Sequence, residues 1–196
     1  MDDQTLHDDW ETRYQNGQTG WDRGQISPAL RHWLNTNDLK PGKILVPGCG
    51  QGYEVIELVK LGFDVTAIDI ASSAIESLKS KLNEENISAN VIQADLLTWK
   101  TKKRFDNIYE QTCICALNPD QWSAYENKLH QWIKSGGKVF ALFMQTHRSG
   151  GPPFHCDMGE MEQLFPDGRW NWNSRSGDRI SHPSGWEELA FILEKI

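Results

Sequence analysis

The stretch that decides the fold is Lys43-Ile-Leu-Val-Pro-Gly-Cys-Gly-Gln-Gly52, in which a short apolar run leads into a glycine-rich turn. An apolar run of this length bounded by glycine predicts a buried strand. The following segment, residues 51–61, places its apolar side chains on helical spacing and stops before Gly62. This pattern predicts a helix that ends at a glycine cap. Strand, glycine turn and helix together are typical of the ligand-binding corner of an α/β protein.

The alternation of strand-like and helix-like segments continues on both sides of this corner. Helices are predicted at Pro28–Leu34, at 71–82, where Ser73 and Glu76 have capping-box spacing, and at Pro119–Ile133. Further strands are predicted at Asp64–Ile70, Ala89–Gln93, Phe105–Thr112, Lys138–Met144, Arg169–Arg175 and Trp186–Glu194. The pattern predicts an α/β fold with a mostly parallel seven-stranded sheet, helices on both faces and an antiparallel C-terminal edge pair. Residues 1–196 are expected to form a single domain, with an irregular, Trp-rich arm over 1–40.

Composition excludes several classes of function. The chain has 196 residues with 20 Lys+Arg and 27 Asp+Glu, and the resulting net charge of −7 disfavours nucleic acid as a partner. No apolar run reaches the ~20 residues that a membrane-spanning helix needs, and the N-terminus is acidic where a signal peptide is basic. We therefore expect a cytoplasmic protein that does not bind membranes, and a monomer, since no apolar stripe is left uncovered.

The cysteine spacing agrees with a cytoplasmic protein. Cys49, Cys113, Cys115 and Cys156 form no C-x-x-C pair, which favours reduced, buried thiols over a zinc site or a disulfide. No metal cofactor is predicted. Cys113 and Cys115 lie in an apolar run, so packing is the preferred interpretation of both, ahead of a nucleophilic role.

Acidic residues follow the glycine turn at the ends of the next two predicted strands. Asp69 stands 19 residues after Gly50 and is placed to accept from ribose hydroxyls, while Asp95 could accept from an adenine amino group. The dinucleotide fingerprint G-x-G-x-x-G is incomplete, because Tyr53 occupies its third glycine position. Either acid alone is more often a turn or cap residue. In combination they favour a nucleoside ligand, with S-adenosylmethionine (SAM) preferred over NAD.

Five motifs carry a more specific resemblance: Trp10-Glu-Thr-Arg-Tyr14, Gly17-Gln-Thr-Gly-Trp-Asp22, Leu45-Val-Pro-Gly-Cys-Gly50, Cys115-Ala-Leu-Asn-Pro119 and Gly150-Gly-Pro-Pro-Phe154. With these motifs the chain resembles the thiopurine S-methyltransferase family of class I SAM-dependent methyltransferases over nearly its whole length. Within that family it is most similar to the plant and bacterial halide and thiol methyltransferase branch. The resemblance implies a Rossmann-like SAM methyltransferase fold, with SAM as cofactor and S-adenosylhomocysteine as product.

The resemblance also implies roles for individual residues. Its cofactor-binding positions fall on Trp10, Tyr14, Trp21, Gly48, Gly50, Asp69, Asp95, Leu96 and Glu110. Its acceptor-binding positions fall on Trp21, Gln111, Phe154 and Arg179. The thiopurine branch has Arg where this chain has Gln111, and the plant halide branch tends to have Tyr where this chain has Phe154. Glu110 would lie near the methionine end of SAM.

The chemistry of such a site needs little acid–base assistance. A sulfonium cation is attracted by aromatic faces, which suits Trp10 and Trp21. A soft anion needs no general base, and a thiol with a pKa of about 8.5 is already partly ionised at neutral pH. Alignment and exclusion of water by a lid, made from the N-terminal arm and the Gly150–Phe154 loop, would then supply the catalysis. No catalytic residue is assigned; His155 and Glu110 are the two candidates for a base.

Three hypotheses follow. The preferred one is a SAM-dependent methyltransferase that acts on a small-molecule acceptor, either a thiol, thiocyanate or a halide. Within the same class, the acceptor could be a thiopurine, a tellurium or selenium species or another small molecule. The second hypothesis is a nucleic-acid or protein methyltransferase of the same fold, and the third is a ligand-binding domain without catalysis.

Overall fold

The computed structural model describes residues 3–174 and 176–196, and among these the side chains from residue 9 onward. The chain forms two compact units, one that ends at Lys100 and one that begins at Thr101. We refer to them as the N-terminal unit and the C-terminal unit.

The N-terminal unit alternates helices with parallel strands. Its elements are α1 (Asp3–Gln15), α2 (Pro28–Asn35), β1 (Lys43–Pro47), α3 (Tyr53–Lys60), β2 (Asp64–Asp69), α4 (Ser72–Glu84) and β3 (Asn90–Gln93). The strands lie in the order β3-β2-β1, with Ile44 beside Val65 and Thr66 beside Asn90. Because β1 and β2 are buried along nearly their whole length, the apolar runs predicted these strands within a residue of their ends.

The helix α2 begins, and the helix α3 ends, where the sequence predicts. Ser27 caps α2, where its Oγ accepts a hydrogen bond from the backbone N–H of Ala29 at 3.2 Å, and Pro28 occupies the first turn. Gly62, with φ of +85°, follows the end of α3. There the backbone N–H of Phe63 donates to the carbonyl of Leu58, as in a glycine-terminated helix.

Two predictions for this unit are wrong. Residues 3–15 form the helix α1, not an irregular arm. The proposed capping box of Ser73 and Glu76 does not form either, because α4 begins at Ser72 with Ala71 as its N-cap and no side-chain cap from that residue. The first backbone N–H groups of α4 instead donate to the side chains of Asp69 and Glu11.

The C-terminal unit contains a mixed sheet. Its elements are β4 (Phe105–Gln111), α5 (Trp122–Trp132), β5 (Ile133–Gln145), α6 (Met158–Leu164), β6 (Trp170–Trp172), β7 (Asp178–Ser181) and β8 (Glu187–Lys195). The strands lie in the order β4-β5-β8-β6, and β7 also pairs with β8. The pair β4–β5 is parallel, whereas β8 is antiparallel to all three of its neighbours.

Within the described residues there are eight strands, one more than the seven predicted. The additional strand, β7, lies in the segment predicted as a polar loop, and α6 was not predicted. The predicted antiparallel pair of the tail is confirmed as β6 and β8, although the Arg175 end of the first strand lies outside the described residues. The strand β5 begins at Ile133, not Lys138, because residues 134–137 bulge while β4 advances from Phe105 to Asn107.

An aromatic cluster fills one side of the C-terminal sheet. Phe143, Phe165, Trp170, Trp172 and Phe191 contact one another with ring centroids 5.2–6.5 Å apart. Trp170 is fully buried, and its indole N–H donates to Glu126 at 2.6 Å. Some of the nine tryptophans therefore belong to the core, and those of the N-terminal unit must be considered separately.

Candidate active site

The glycine turn after β1 is held by Asp69, the last residue of β2. The Oδ2 atom of Asp69 accepts a hydrogen bond from the backbone N–H of Gly50 at 2.9 Å, and Oδ1 accepts one from Ala71 at 3.0 Å. The residue is only 7% exposed, and burial raises the pKa of its carboxyl while these backbone hydrogen bonds oppose the rise. The backbone N–H of Ile70 is a third donor to this carboxylate. A carboxylate offers about four lone-pair directions, so Asp69 can still accept from a ligand hydroxyl.

Three aromatic side chains gather at the same turn. The rings of Trp10 and Tyr14 both meet Trp21 edge to face, with centroids 5.4 and 5.6 Å apart. A Cβ atom on Gly50, where φ is +49°, would lie 3.0 Å from the Tyr14 hydroxyl oxygen, so this position accommodates the phenol because it is glycine. Burial and the negative charge of Asp69 both raise the pKa of Tyr14. The structure thus brings together the N-terminal aromatic residues and the turn that were predicted to bind one ligand.

Glu11 of α1 is the residue of this region that the sequence analysis missed. Its Oε2 accepts from the backbone N–H of Ser73 at 2.9 Å, and its Oε1 accepts a short hydrogen bond from the Ser73 hydroxyl. The sequence does contain one indication of this contact. A helix whose N-cap residue is Ala71 has no capping side chain of its own, so its first N–H groups need an acceptor from another segment.

Asp95 and Leu96 follow β3 by two and three residues. Asp95 is half-buried, and its Oδ1 accepts from the backbone N–H of Leu97 at 2.9 Å in a local turn, while the Leu96 side chain is buried. The turn role that the sequence left open for Asp95 is therefore observed, and its adenine contact stays a prediction. Gly48 lies in the turn with φ of +59°.

In the C-terminal unit, Glu110 is a buried carboxyl near the end of β4. It is 1% exposed, and its Oε1 accepts from the backbone N–H of Ile114 at 2.7 Å. Its Oε2 has no hydrogen-bond partner among the described residues. Burial, aided by the charge of Glu188, raises the pKa of Glu110 to about 8. The backbone hydrogen bonds from Ile114 and Cys113 oppose this rise in pKa without cancelling it.

Glu188 at the start of β8 is a second buried carboxylate that the sequence analysis did not identify. It is fully buried, and the side-chain amide of Gln111 donates to its two oxygens at 3.0 and 3.3 Å. The Tyr109 hydroxyl donates in turn to the Gln111 amide oxygen at 2.6 Å. Gln111 is thus fixed from both sides. Because Glu188 lies within a strand of otherwise ordinary composition, its burial has no local signal in the sequence.

The loop that carries Phe154 is anchored at two points. The backbone N–H of Phe154 donates to the Cys115 carbonyl at 2.7 Å, and that of Cys156 donates to the Met144 carbonyl at 2.9 Å. The Gln145 side chain donates to the Cys156 carbonyl at 2.8 Å. Phe154 itself is half-buried. The conformation of this loop is therefore defined by β5 and by the short 3-10 turn Ile114–Ala116.

Two further predicted residues have other partners. Arg179 on β7 is 71% exposed at its side chain and forms a short ion pair with Glu187. His155 contacts His147, with ring centroids 4.9 Å apart, and its Nδ1 accepts from the His147 backbone N–H at 3.5 Å. The observed contacts of Arg179 are therefore with Glu187 and those of His155 with His147, and the predicted roles of both residues stay predictions.

The four cysteines are buried, as predicted. Burial raises the pKa of Cys115 and of Cys156 well above the ordinary value, and nearby carboxylates add to the rise. Such thiols stay protonated and are poor nucleophiles. Among the residues that the structure describes, no group of three or more His, Cys, Asp or Glu side chains is arranged to hold a metal, and no helix is long and apolar enough to cross a membrane.

The fold of this chain is similar to that of a solved methyltransferase structure. The 1,6-didemethyltoxoflavin-N1-methyltransferase of Burkholderia thailandensis, solved with 1,6-didemethyltoxoflavin and S-adenosylhomocysteine bound, has a similar fold. The TM-score is 0.77 at 18% identity, over 97% of this chain and 87% of that one. The fold is therefore that of the SAM-dependent methyltransferases, and the predicted α/β fold class is confirmed.

Sequence relatives define the family. The chain matches the family model for thiopurine S-methyltransferase over residues 5–189. Probable thiol methyltransferase 2 of Arabidopsis thaliana is 32% identical over 161 residues, which cover 80% of this chain and 70% of that protein. Thiocyanate methyltransferase 1 of the same plant is 30% identical with the same coverage. The chain belongs to the thiopurine S-methyltransferase family and is a SAM-dependent methyltransferase, as its motifs predict.

Proposed function

We propose that this chain transfers the methyl group of SAM to a small soft nucleophile, with a thiol, thiocyanate or a halide as acceptor. The observation that carries the proposal is the cluster of Trp10, Tyr14 and Trp21 at the turn held by Asp69. The plant relatives, one a probable thiol methyltransferase and one a thiocyanate methyltransferase, support the same acceptor class.

The N-terminal unit has the groups that an adenosyl ligand requires. Asp69 is fixed by two backbone N–H groups and can accept from the two ribose hydroxyls with its remaining lone pairs. Gly48 and Gly50 allow the backbone of the turn to approach a ligand closely. Asp95 and Leu96 are the proposed adenine contacts, one polar and one apolar.

The positive charge of the cofactor is stabilised by aromatic faces and by carboxyl groups. The faces of Trp10 and Trp21 would stabilise a sulfonium cation by roughly 0.5–2 kcal/mol each. In the C-terminal unit, Glu110 is the residue proposed to act toward the cationic methionine end, and its unpartnered Oε2 supports that role.

SAM supplies an activated methyl group, and the protein then has to align the acceptor with it and exclude water. Orientation of two reactants can supply roughly 7–11 kcal/mol of a reaction barrier. An anionic acceptor needs no proton transfer, and a thiol loses its proton with a pKa of about 8.5. We propose Trp21, Gln111, Phe154 and Arg179 as acceptor contacts, and we assign no general base.

The test is formation of S-adenosylhomocysteine by the purified protein with SAM and one acceptor at a time. The panel contains iodide, thiocyanate, hydrosulfide, an aromatic thiol, a thiopurine and a tellurium or selenium oxyanion, together with a reaction that lacks acceptor. We expect the highest kcat/KM for one of the first four acceptors. The matched control is the Asp69→Asn variant, which should abolish turnover on every acceptor.

A thiopurine or an oxyanion as the preferred acceptor would overturn the proposed acceptor class and leave the family unchanged. Methyl transfer to RNA or to protein in a cell extract, with no turnover on the panel, would overturn small-molecule chemistry altogether.

We also propose a cytoplasmic monomer. Four buried thiols are typical of a reducing compartment. Among the described residues, the large hydrophobic side chains exposed to solvent are Leu61 and Ile196, which is too little apolar surface to favour self-association. Size-exclusion chromatography with light scattering would test the oligomeric state, and a dimer mass would contradict the proposal.

A further inference from the structure

Glu11 joins two helices that are far apart in the sequence. It lies on α1, and both of its carboxylate oxygens accept hydrogen bonds from Ser73 in the first turn of α4. The side chain of Gln15, one turn later on α1, donates to Glu11 Oε1 at 2.9 Å. Burial acts to raise the pKa of Glu11, but the hydrogen bonds from the Ser73 side chain and backbone, and from Ser72, lower it to about 2.

The contact replaces a helix cap that α4 lacks. The N-cap residue Ala71 has no side-chain oxygen, so the first N–H groups of α4 need acceptors from elsewhere. Asp69 accepts from the Ala71 N–H, and Glu11 accepts from the Ser73 N–H two residues later. A carboxylate at this position is also stabilised by the positive end of the helix dipole. The start of α4 is therefore satisfied by Asp69, which is two residues from Ala71, and by Glu11, which is 62 residues from Ser73.

The neighbours of Glu11 on α1 are the aromatic residues of the candidate site. Trp10 precedes it, and Tyr14 follows one turn after Trp10, so these two share a face of the helix. That face contacts Trp21, and the Tyr14 hydroxyl lies on Gly50. The hydrogen bonds from Ser72 and Ser73 to Glu11 connect α1 to the first turn of α4.

We propose that Glu11 is a positioning residue for SAM binding, because its carboxylate fixes α1 on the N-terminus of α4 and so holds Trp10 and Tyr14 at the glycine turn. The inference rests on the proposed use of SAM at that turn. Glu11 touches neither cofactor nor acceptor in this scheme. Its loss should weaken SAM binding through the position of α1, while the strands and the other helices of the unit stay folded.

The first measurement is the Kd for SAM and for S-adenosylhomocysteine by isothermal titration calorimetry. We expect Glu11→Ala to weaken both by about tenfold, the scale of a lost helix cap. Glu11→Gln keeps one acceptor oxygen and should lose less, and Ser73→Ala keeps the backbone N–H donor and should also lose less. The matched control is Glu76→Ala, which removes an exposed carboxylate from the same helix and should leave the Kd unchanged.

The second measurement follows α1 directly by limited trypsin digestion, with cleavage after Arg13 detected by mass spectrometry. We expect Glu11→Ala to speed this cleavage at least severalfold, and saturating SAM to slow it in both proteins. In steady-state kinetics the KM for SAM should rise about tenfold, and kcat at saturating SAM should change by less than twofold. A merely structural role would lower the active fraction, and therefore kcat, instead.

The outcomes separate the inference from the proposed function. If the unmodified protein does not bind SAM, the proposed function fails. If it binds SAM and Glu11→Ala binds with the same Kd, or is cut after Arg13 at the same rate, the positioning role of Glu11 is wrong and the proposed function stands. Far-UV circular dichroism of each variant verifies that the loss of binding is not a loss of fold.

Discussion

Carboxyl groups that accept hydrogen bonds occur in both units of the molecule, buried at Asp69, Glu110 and Glu188 and half-buried at Glu11, and their surroundings differ. In the N-terminal unit, Asp69 and Glu11 accept hydrogen bonds from backbone N–H groups at the start of α4. In the C-terminal unit, Glu110 accepts backbone hydrogen bonds from Ile114 and Cys113. Glu188 is held by the Gln111 amide. The hydrogen bonds lower the pKa of Glu11, whereas at Asp69 and at Glu110 they offset the effect of burial only in part, and Glu110 also lies near the charge of Glu188.

The protonation state of a carboxyl therefore depends on its hydrogen-bond donors as well as on its burial. Hydrogen bonds from Ser73 outweigh desolvation at Glu11, whose pKa falls to about 2, so this group stays charged and holds structure. Desolvation prevails at Glu110, whose pKa rises to about 8, so this group can change its protonation state near neutral pH.

The largest effect is expected from Asp69→Asn. The variant replaces a carboxylate by an amide whose NH2 group faces the backbone donors, and hydrogen bonds to a charged group contribute about 1.5–3 kcal/mol each. We expect the Kd for SAM, measured by calorimetry, to rise at least about 100-fold. Asp64→Asn, at the exposed start of the same strand, is the control and should bind normally. Tight SAM binding by Asp69→Asn would contradict the assignment of Asp69 to the cofactor.

The next effect concerns Glu110 and pH. A folded-state pKa raised above the unfolded value of 4.5 means that the folded protein keeps a proton that the unfolded chain has released. The free energy of unfolding should therefore fall as pH rises from 4.5 to about 8, by up to about 1.4 kcal/mol per pH unit from this group. Urea denaturation of Glu110→Gln should show less loss of stability over this window.

The control for Glu110 is Glu162→Gln, an exposed carboxylate of the same unit, which should keep the pH dependence of the parent protein. The interpretation fails if the stability difference between Glu110→Gln and the parent protein is the same at pH 6 and at pH 9.

A smaller effect is expected when the partner of Glu188 is removed. Gln111→Leu deletes the amide donor to a fully buried carboxylate and should lower the free energy of unfolding by about 1–3 kcal/mol at pH 7. The double variant Gln111→Leu, Glu188→Leu removes both partners and should recover part of that loss. Additive losses in urea denaturation would show that the two side chains do not stabilise each other.

The smallest effect is expected at Arg179, which forms an exposed ion pair with Glu187 on the neighbouring strand. Arg179→Ala should change the free energy of unfolding by less than about 1 kcal/mol, and the difference should shrink further in 1 M salt. A larger, salt-insensitive loss of stability would show that Arg179 has a structural role that its exposure does not suggest.

The sequence predicted those parts of the fold that depend on local pattern. The strands β1 and β2 are apolar and β-branched runs, and Pro28 and Gly62 mark a helix start and a helix end that the structure confirms. The glycine turn and Asp69 were predicted together because a strand end fixes where both must lie.

The features that the sequence analysis did not predict depend on contacts between residues that are distant in the sequence. The helix α1 has no apolar stripe, and its position comes from the hydrogen bonds of Glu11 with Ser73 and from the rings that meet Trp21. The start of β5 was missed because Gly136 and Gly137 indicate a turn locally, whereas here they belong to a bulge. The partnership of Gln111 with Glu188 spans 77 residues, and no short-range pattern encodes it.

The protonated cysteines have a consequence for the durability of the protein. SAM and many methylated sulfur or halogen compounds are themselves alkylating agents, and they react with thiolates far more readily than with thiols. A chain that carries four cysteines and handles such compounds would risk modifying its own sulfur at every turnover. Burial, with the neighbouring carboxylates Glu110 and Glu188, raises the pKa of Cys115 and Cys156 and so keeps both thiols in the protonated form that reacts slowly with alkylating agents.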